Sequence, residues 1–166
     1  MSQFKQQLQE TCRNALRSVA RGVRSLLTPP TPPIEFDWHT IEGGPAAGAE
    51  VMLPRNTSIA TAITAGDYEQ KILQVVQNLV SASDICLDIG GHYGCYTLSL
   101  AKLANQGQVH TFEPVPAHAD RIRKAAIRSE LKHVTVHQVA VAGQVGEMTL
   151  QFAEAEGSYD SMAFLD

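Results

Sequence analysis

The 166-residue sequence has few cysteines, few aromatics and no long apolar run. Its three cysteines, Cys12, Cys86 and Cys95, form an odd set without framework spacing. Disulfides therefore have no part in the expected fold, and a reduced, cytoplasmic setting is the expectation. No stretch reaches the roughly 18–20 apolar residues that span a bilayer, and the N-terminus has no uninterrupted apolar core of the secretory kind. The body is expected to be soluble. No internal repeat of about 20–50 residues is visible, and no Gly-x-Ser-x-Gly elbow supports a hydrolase triad.

Charge is scarce, at 18% of residues, and unevenly spread. Residues 1–27 carry Lys5, Arg13, Arg17, Arg21 and Arg24 against Glu10, a net +4, whereas residues 28–166 carry 8 basic and 16 acidic side chains, a net −8. An acidic body argues against nucleic acid as a partner.

Phe4, Leu8, Cys12, Leu16, Val19, Val23, Leu26 and Leu27 recur at spacings of three and four with arginines between them. This pattern predicts a basic amphipathic helix over 3–27. Such a helix either docks on a membrane surface or protein partner, or rests solvated against its own domain. The lack of Trp and repeated bulky aromatics in the stripe favours the second reading. Thr28-Pro-Pro-Thr-Pro-Pro33 cannot continue a helix and reads as a stiff linker. Residues 28–56 as a whole are expected to be linker and loop, with a short extended piece around Phe36 and Trp38, leaving 57–166 as the domain.

Within that domain Asp67, with Gln70 three residues later, reads as a helix N-cap before the apolar face of Ile72, Leu73, Val75, Val76, Leu79 and Val80. Ile85–Ile89 has the apolar character of a strand buried on both faces, and Gly90, Gly91 and Gly94 turn the chain into a helix over Thr97–Ala104. A second strand over Val109–Phe112 ends at Glu113-Pro114, and Pro116 opens a helix running toward Leu131. Val134–Val141 is the third strand, and the alternating Met148–Phe152 is a hairpin partner. Strands and helices alternating through short connections specify an α/β fold, a parallel sheet with helices on both faces.

Glycines between strand and helix let a ligand approach backbone N–H groups, and their spacing separates the usual occupants. A P-loop needs four residues between its glycines and a following lysine, and neither is present. The dinucleotide fingerprint would need glycine at position 89, which is isoleucine. What remains is Asp88-x-Gly90-x-x-x-Gly94 with a second acid, Glu113, ending the next strand. Cys86, His92 and Cys95 match no zinc spacing, and His133 with His137 lack a third ligand, so no metal is expected.

Residues 85–97, Ile-Cys-Leu-Asp-Ile-Gly-Gly-His-Tyr-Gly-Cys-Tyr-Thr, followed by Val109-His-Thr-Phe-Glu-Pro114, resemble the S-adenosylmethionine-dependent class I methyltransferases. Within these they are similar to the FkbM family, whose usual text is Asp-Ile-Gly-Ala-Asn-x-Gly and then Phe-Glu-Pro. The resemblance covers about residues 60–155 and includes Gly66-Asp67-Tyr68-Glu69. It implies a Rossmann-like sheet and S-adenosylmethionine as cofactor. Glu113 would accept both ribose hydroxyls, while Asp88 and the backbone at Gly90, Gly91 and Gly94 would hold the methionine end. Pro114 would lie along the adenine, and Ala140, within Val139–Val141, would close its other side.

His92 stands where the family has asparagine and Gly91 where it has alanine; His92 either contacts the cofactor or caps the loop. The implied activity is O-methylation of a small-molecule or sugar hydroxyl, with this chain as the cofactor-binding half and no catalytic base identified. The remaining strands of a methyltransferase sheet find no counterpart before Asp166. The chain alone is therefore expected to be weakly stable, self-associating through an incomplete sheet edge, and inactive. The alternatives are a non-catalytic nucleotide-binding module and an NAD-binding oxidoreductase.

Overall fold

The structure, a computed structural model, describes residues 34–147, 149–153 and 162–165. The basic helix expected at 3–27 and the proline linker at 28–33 lie outside the described residues. The elements in chain order are β1 (Phe36–Thr40), β2 (Glu50–Pro54), α1 (Ser58–Ala65), α2 (Gln70–Leu79), β3 (Ile85–Ile89), α3 (Cys95–Leu103), β4 (Gln108–Phe112), α4 (Pro116–Arg128), β5 (Val134–His137), β6 (Leu150–Ala153) and β7 (Met162–Leu165).

Strands β3, β4 and β5 form a parallel sheet in that order, with Ile89 opposite Phe112 and Phe112 opposite His137. Parallel neighbours need a crossover between them, and α3 and α4 supply the two crossovers. This is the α/β parallel sheet with flanking helices that the alternating pattern predicts. All three strands therefore end at one edge, where the glycine turn and Glu113 meet.

Two expectations about this sheet are corrected. Along β3, Cys86 and Asp88 are buried, but Ile85, Leu87 and Ile89 are 69%, 62% and 64% exposed. Alternate strand residues face opposite ways, and α3 and α4 cover only one side. There Leu98 and Ala101 of α3 and Ala119 and Ile122 of α4 share the core with Val109 and Thr111 of β4. Among the described residues the helices thus lie on one face rather than two, and the apolar run of β3 has one face bare. The third strand also stops at His137 instead of Val141. The Glu113 N–H donates to the His137 carbonyl at 3.0 Å, and the next residue, Pro114, has no N–H with which to continue the ladder.

Residues expected to be linker and loop form an antiparallel hairpin, with Trp38 of β1 opposite Met52 of β2. Val51 and Leu53 are fully buried. The hairpin docks on α4 through cation–π and ionic contacts. Arg121 lies 4.3 Å over the Phe36 ring, Arg128 lies 4.4 Å over Trp38, and Arg128 also donates to Glu50 at 2.8 and 3.1 Å. The Glu50 N–H donates to Ser129 Oγ at 2.8 Å.

Helix α1 is absent from the sequence expectations. Thr57 caps it, its Oγ1 accepting from the Ala60 N–H at 3.2 Å and donating to the Pro54 carbonyl at 3.0 Å. Asp67 is not the N-cap of α2. The N–H groups of Asp67 and Tyr68 both donate to the Ala62 carbonyl, at 2.9 and 3.1 Å, so these residues close α1 instead. Helix α2 then starts from Glu69, which holds a left-handed φ of +45°. Strands β6 and β7 pair antiparallel, Gln151 opposite Phe164, as the alternation near 148–152 suggests.

Candidate functional site

Asp88, the fourth residue of β3, points into the buried face and is 8% exposed. Its Oδ2 accepts from Thr97 Oγ1 at 2.5 Å, and Thr97 Oγ1 in turn accepts from Thr111 Oγ1 at 3.0 Å. Asp88 thus lies against the first turn of α3, where negative charge is favoured. Helix α3 has no side-chain cap of its own from Gly94. Burial pushes the Asp88 carboxyl above its ordinary range, the Thr97 hydroxyl bond pulls it back, and the nearby charge of Glu113 raises it further.

A folded-state value above the unfolded one gives a contribution that is complete at low pH and is lost as pH rises through the folded value. The stability of Asp88→Asn relative to the wild type is therefore expected to improve as pH rises above the ordinary carboxylate range. Thermal scans at one pH within that range and one above it would record the Tm difference moving in the variant's favour. A difference that stays constant or moves against the variant as pH rises would contradict this placement of the charge.

The turn after β3 is built from left-handed residues: Gly90 at φ +87°, His92 at +49° and Gly94 at +86°. The Gly90 N–H donates to the Phe112 carbonyl at 2.8 Å, tying the turn to the end of β4. A Cβ on Gly90 would meet nothing within 4 Å, whereas one on Gly91 would fall 2.5 Å from Thr111 Cγ2 and 2.8 Å from Ile122 Cδ1. Gly90 thus faces open space and Gly91 faces the core. His92 occupies a conformation that asparagine, aspartate and histidine enter more readily than other non-glycine residues.

Glu113, immediately after β4, is 4% exposed. Its Oε2 accepts from the His92 N–H at 2.8 Å and its Oε1 from the Val115 N–H at 2.9 Å. His118 Nδ1, in the first turn of α4, stands 3.6 Å from Oε1. Burial alone would raise this carboxyl, but the neighbouring His118 imidazole and the Val115 and His92 N–H groups together outweigh it and hold the group below its usual value. The His118 ring also meets that of His92 edge-on, with centroids 4.8 Å apart.

The sequence-derived site residues thus converge in part. Asp88, Gly90, Gly91, His92, Gly94 and Glu113 lie at the carboxyl edge of β3 and β4, in two sets of hydrogen bonds, one running from Asp88 to Thr97 and Thr111 and the other tying the turn to Phe112 and Glu113. Pro114 adjoins it, half-buried. Ala140 lies three residues beyond the end of β5, between Val139 and Val141, which are 52% and 51% exposed. Three members were not foreseen. Thr97 and Thr111 complete the Asp88 chain of bonds, and His118 sits against Glu113; the Pro116 helix start, which puts residue 118 in the first turn over the strand end, was the available signal.

A further carboxylate, Glu69, accepts from the Tyr96 hydroxyl in the first turn of α3. Cys95, next to it, is pushed up to about 12 by burial and then by Glu69 and Asp88. His133 and His137 do not act together: His133 Nε2 bonds the Ala101 carbonyl at 2.8 Å, while His137 stacks on Phe112 with centroids 4.7 Å apart. A groove of about 610 Å³ runs between α4 and β5, lined by Arg123, Ile127 and Val136 among others. Neither Asp88 nor Glu113 lines it, and it is separate from this group.

No family model matches the sequence, and no curated protein matches it. Among solved structures the chain is similar to one titled "Putative methyltransferase yhhF from Escherichia coli", at 15% identity and a TM-score of 0.45, over 63% of this chain and 53% of that one. It is also similar to the protein PH0851, at 15% identity and a TM-score of 0.38, over 63% of this chain and 25% of that one. The chain thus spans about half the length of the first and a quarter of the second. At these values neither likeness says more than the topology and site already do.

Proposed function

We propose that the edge formed by residues 88–94 and 113–115 holds S-adenosylmethionine, and that the chain is the cofactor-binding half of an FkbM-type O-methyltransferase. The observation that carries this reading is the pair of buried carboxylates, Asp88 and Glu113, at a strand–glycine turn–helix junction. A pyrophosphate brought to that junction would meet two negative charges at close range; a ligand with an ammonium and a sulfonium would be attracted.

The residues fit such a group. Gly90 leaves room for close approach to the turn, and the charge of Asp88 lies beside it to favour the cationic methionine end. A carboxylate offers about four acceptor positions. The His92 and Val115 N–H groups use one on each oxygen of Glu113, so one on each remains for the ribose hydroxyls. When bound, the cofactor supplies an electrophilic methyl group on sulfur. The protein's own part is orientation: the turn is held by backbone bonds and by Glu113 before any ligand arrives, and ordering reactants in advance is where such transfers gain most. In this reading the acceptor is a hydroxyl of a sugar or other small molecule.

Calorimetric titration of the full chain with S-adenosylhomocysteine, S-adenosylmethionine and NAD tests the proposal. The first two are expected to bind and NAD is not. Binding of NAD alone would replace this reading by the oxidoreductase one, and binding of none would leave the acids as structural staples only.

A further inference from the structure

We propose that His118 is a positioning residue for ribose recognition, fixing the Glu113 carboxylate in the one orientation from which both its oxygens can receive a ligand. The inference rests on the cofactor reading above. His118 is 7% exposed, and its Nδ1 stands 3.6 Å from Oε1 of a carboxylate that is itself 4% exposed. It comes from α4, whereas the two N–H groups on the same carboxylate come from the β3 turn and from the segment after β4. Three separate segments thus converge on Glu113.

The two backbone N–H groups donate one to each oxygen and leave the carboxylate free to tilt about the line that joins those oxygens. The imidazole packed beside Oε1 limits that tilt. The edge contact with the His92 ring, at 4.8 Å, in turn holds the imidazole against the glycine turn. His118 touches no reacting atom in this scheme; it acts through Glu113.

The test is binding of two probes to the full-length chain: S-adenosylhomocysteine and its 2′,3′-dideoxy analogue, which lacks the hydroxyls that Glu113 would accept. His118→Ala is expected to weaken the first about tenfold and to change the second by less than about twofold. His118→Asn, which keeps a donor near the Nδ1 position, should restore most of the loss. Equal weakening of both probes would show a purely structural role and overturn the proposal, as would no weakening of either. Should His118→Ala fail to fold, His118→Phe keeps the ring and removes Nδ1, and is read the same way. If the wild type binds neither probe, the cofactor reading itself falls and this role with it, an outcome distinct from failure of the His118 variants alone.

Discussion

Glu113→Ala is expected to lower folding stability by roughly 3 kcal/mol, because it strips the acceptor from one buried and one part-buried N–H group and the charge from beside a buried imidazole. The donors are those of His92 and Val115, at 2.8 and 2.9 Å, with His118 beside them. Chemical denaturation should show a lower midpoint with little change in slope, the mark of lost stability rather than altered compactness. Glu113→Gln should fall between, since its carbonyl can serve one N–H while its amide confronts the other.

The pH dependence has a definite sign. The Glu113 carboxyl is held below its ordinary range in the fold. Its stabilisation is therefore complete above the unfolded value and is lost as pH falls through the folded one. The gap between wild type and Glu113→Ala should shrink across that acid range, opposite to the trend expected at Asp88. A variant as stable as the wild type at neutral pH would show that the carboxylate does not hold the turn to β4.

The second large effect is expected at Gly91. An alanine there would press its Cβ to 2.5 Å from Thr111 Cγ2, 2.8 Å from Ile122 Cδ1 and 3.4 Å from Thr97 Oγ1. Overpacking of this kind costs about 1–3 kcal/mol, and here it pushes on Thr97 and Thr111, the two hydroxyls that support Asp88. Both melting temperature and binding of S-adenosylhomocysteine should fall together in Gly91→Ala. Thr111→Ser removes the nearest methyl and keeps the hydroxyl, so the double variant should recover part of the loss. Gly90→Ala provides the contrast. Its Cβ would meet nothing within 4 Å, but φ is +87°, so its cost is backbone strain of about 1–2 kcal/mol rather than a clash. Equal tolerance at the two positions would contradict the assignment of one glycine to the ligand side and the other to the core.

The features legible in the sequence are those written in a single local stretch. The order of strand, glycine turn, helix and strand was readable because glycine and proline punctuate it, and Glu113 stood out as an acid at a strand end. The hairpin of β1 and β2 was not readable. Its pairing joins Trp38 to Met52 across a loop and is secured by Arg121 and Arg128 from α4, more than 80 residues away in the chain. The bare face of β3 was missed for a related reason. An apolar run does not tell which of its faces a helix will cover, and only Cys86 and Asp88 turned out to face one.

His92 gave no sign in the sequence of its φ of +49°, a left-handed backbone that histidine enters more readily than most residues. His118 carried no local signal beyond its place in the first turn of α4. It gains meaning only from the carboxylate that the sheet brings to it.

Amide hydrogen exchange of the full-length chain with and without S-adenosylhomocysteine tests the central claim most directly. The claim is that the carboxyl edge of β3 and β4 is the binding site. The expected result is slowed exchange at residues 89–95 and 113–118, with the outer face of β3 and the β1–β2 hairpin unchanged. Protection confined to the groove between α4 and β5, or no protection at the glycine turn despite measurable binding, would contradict it.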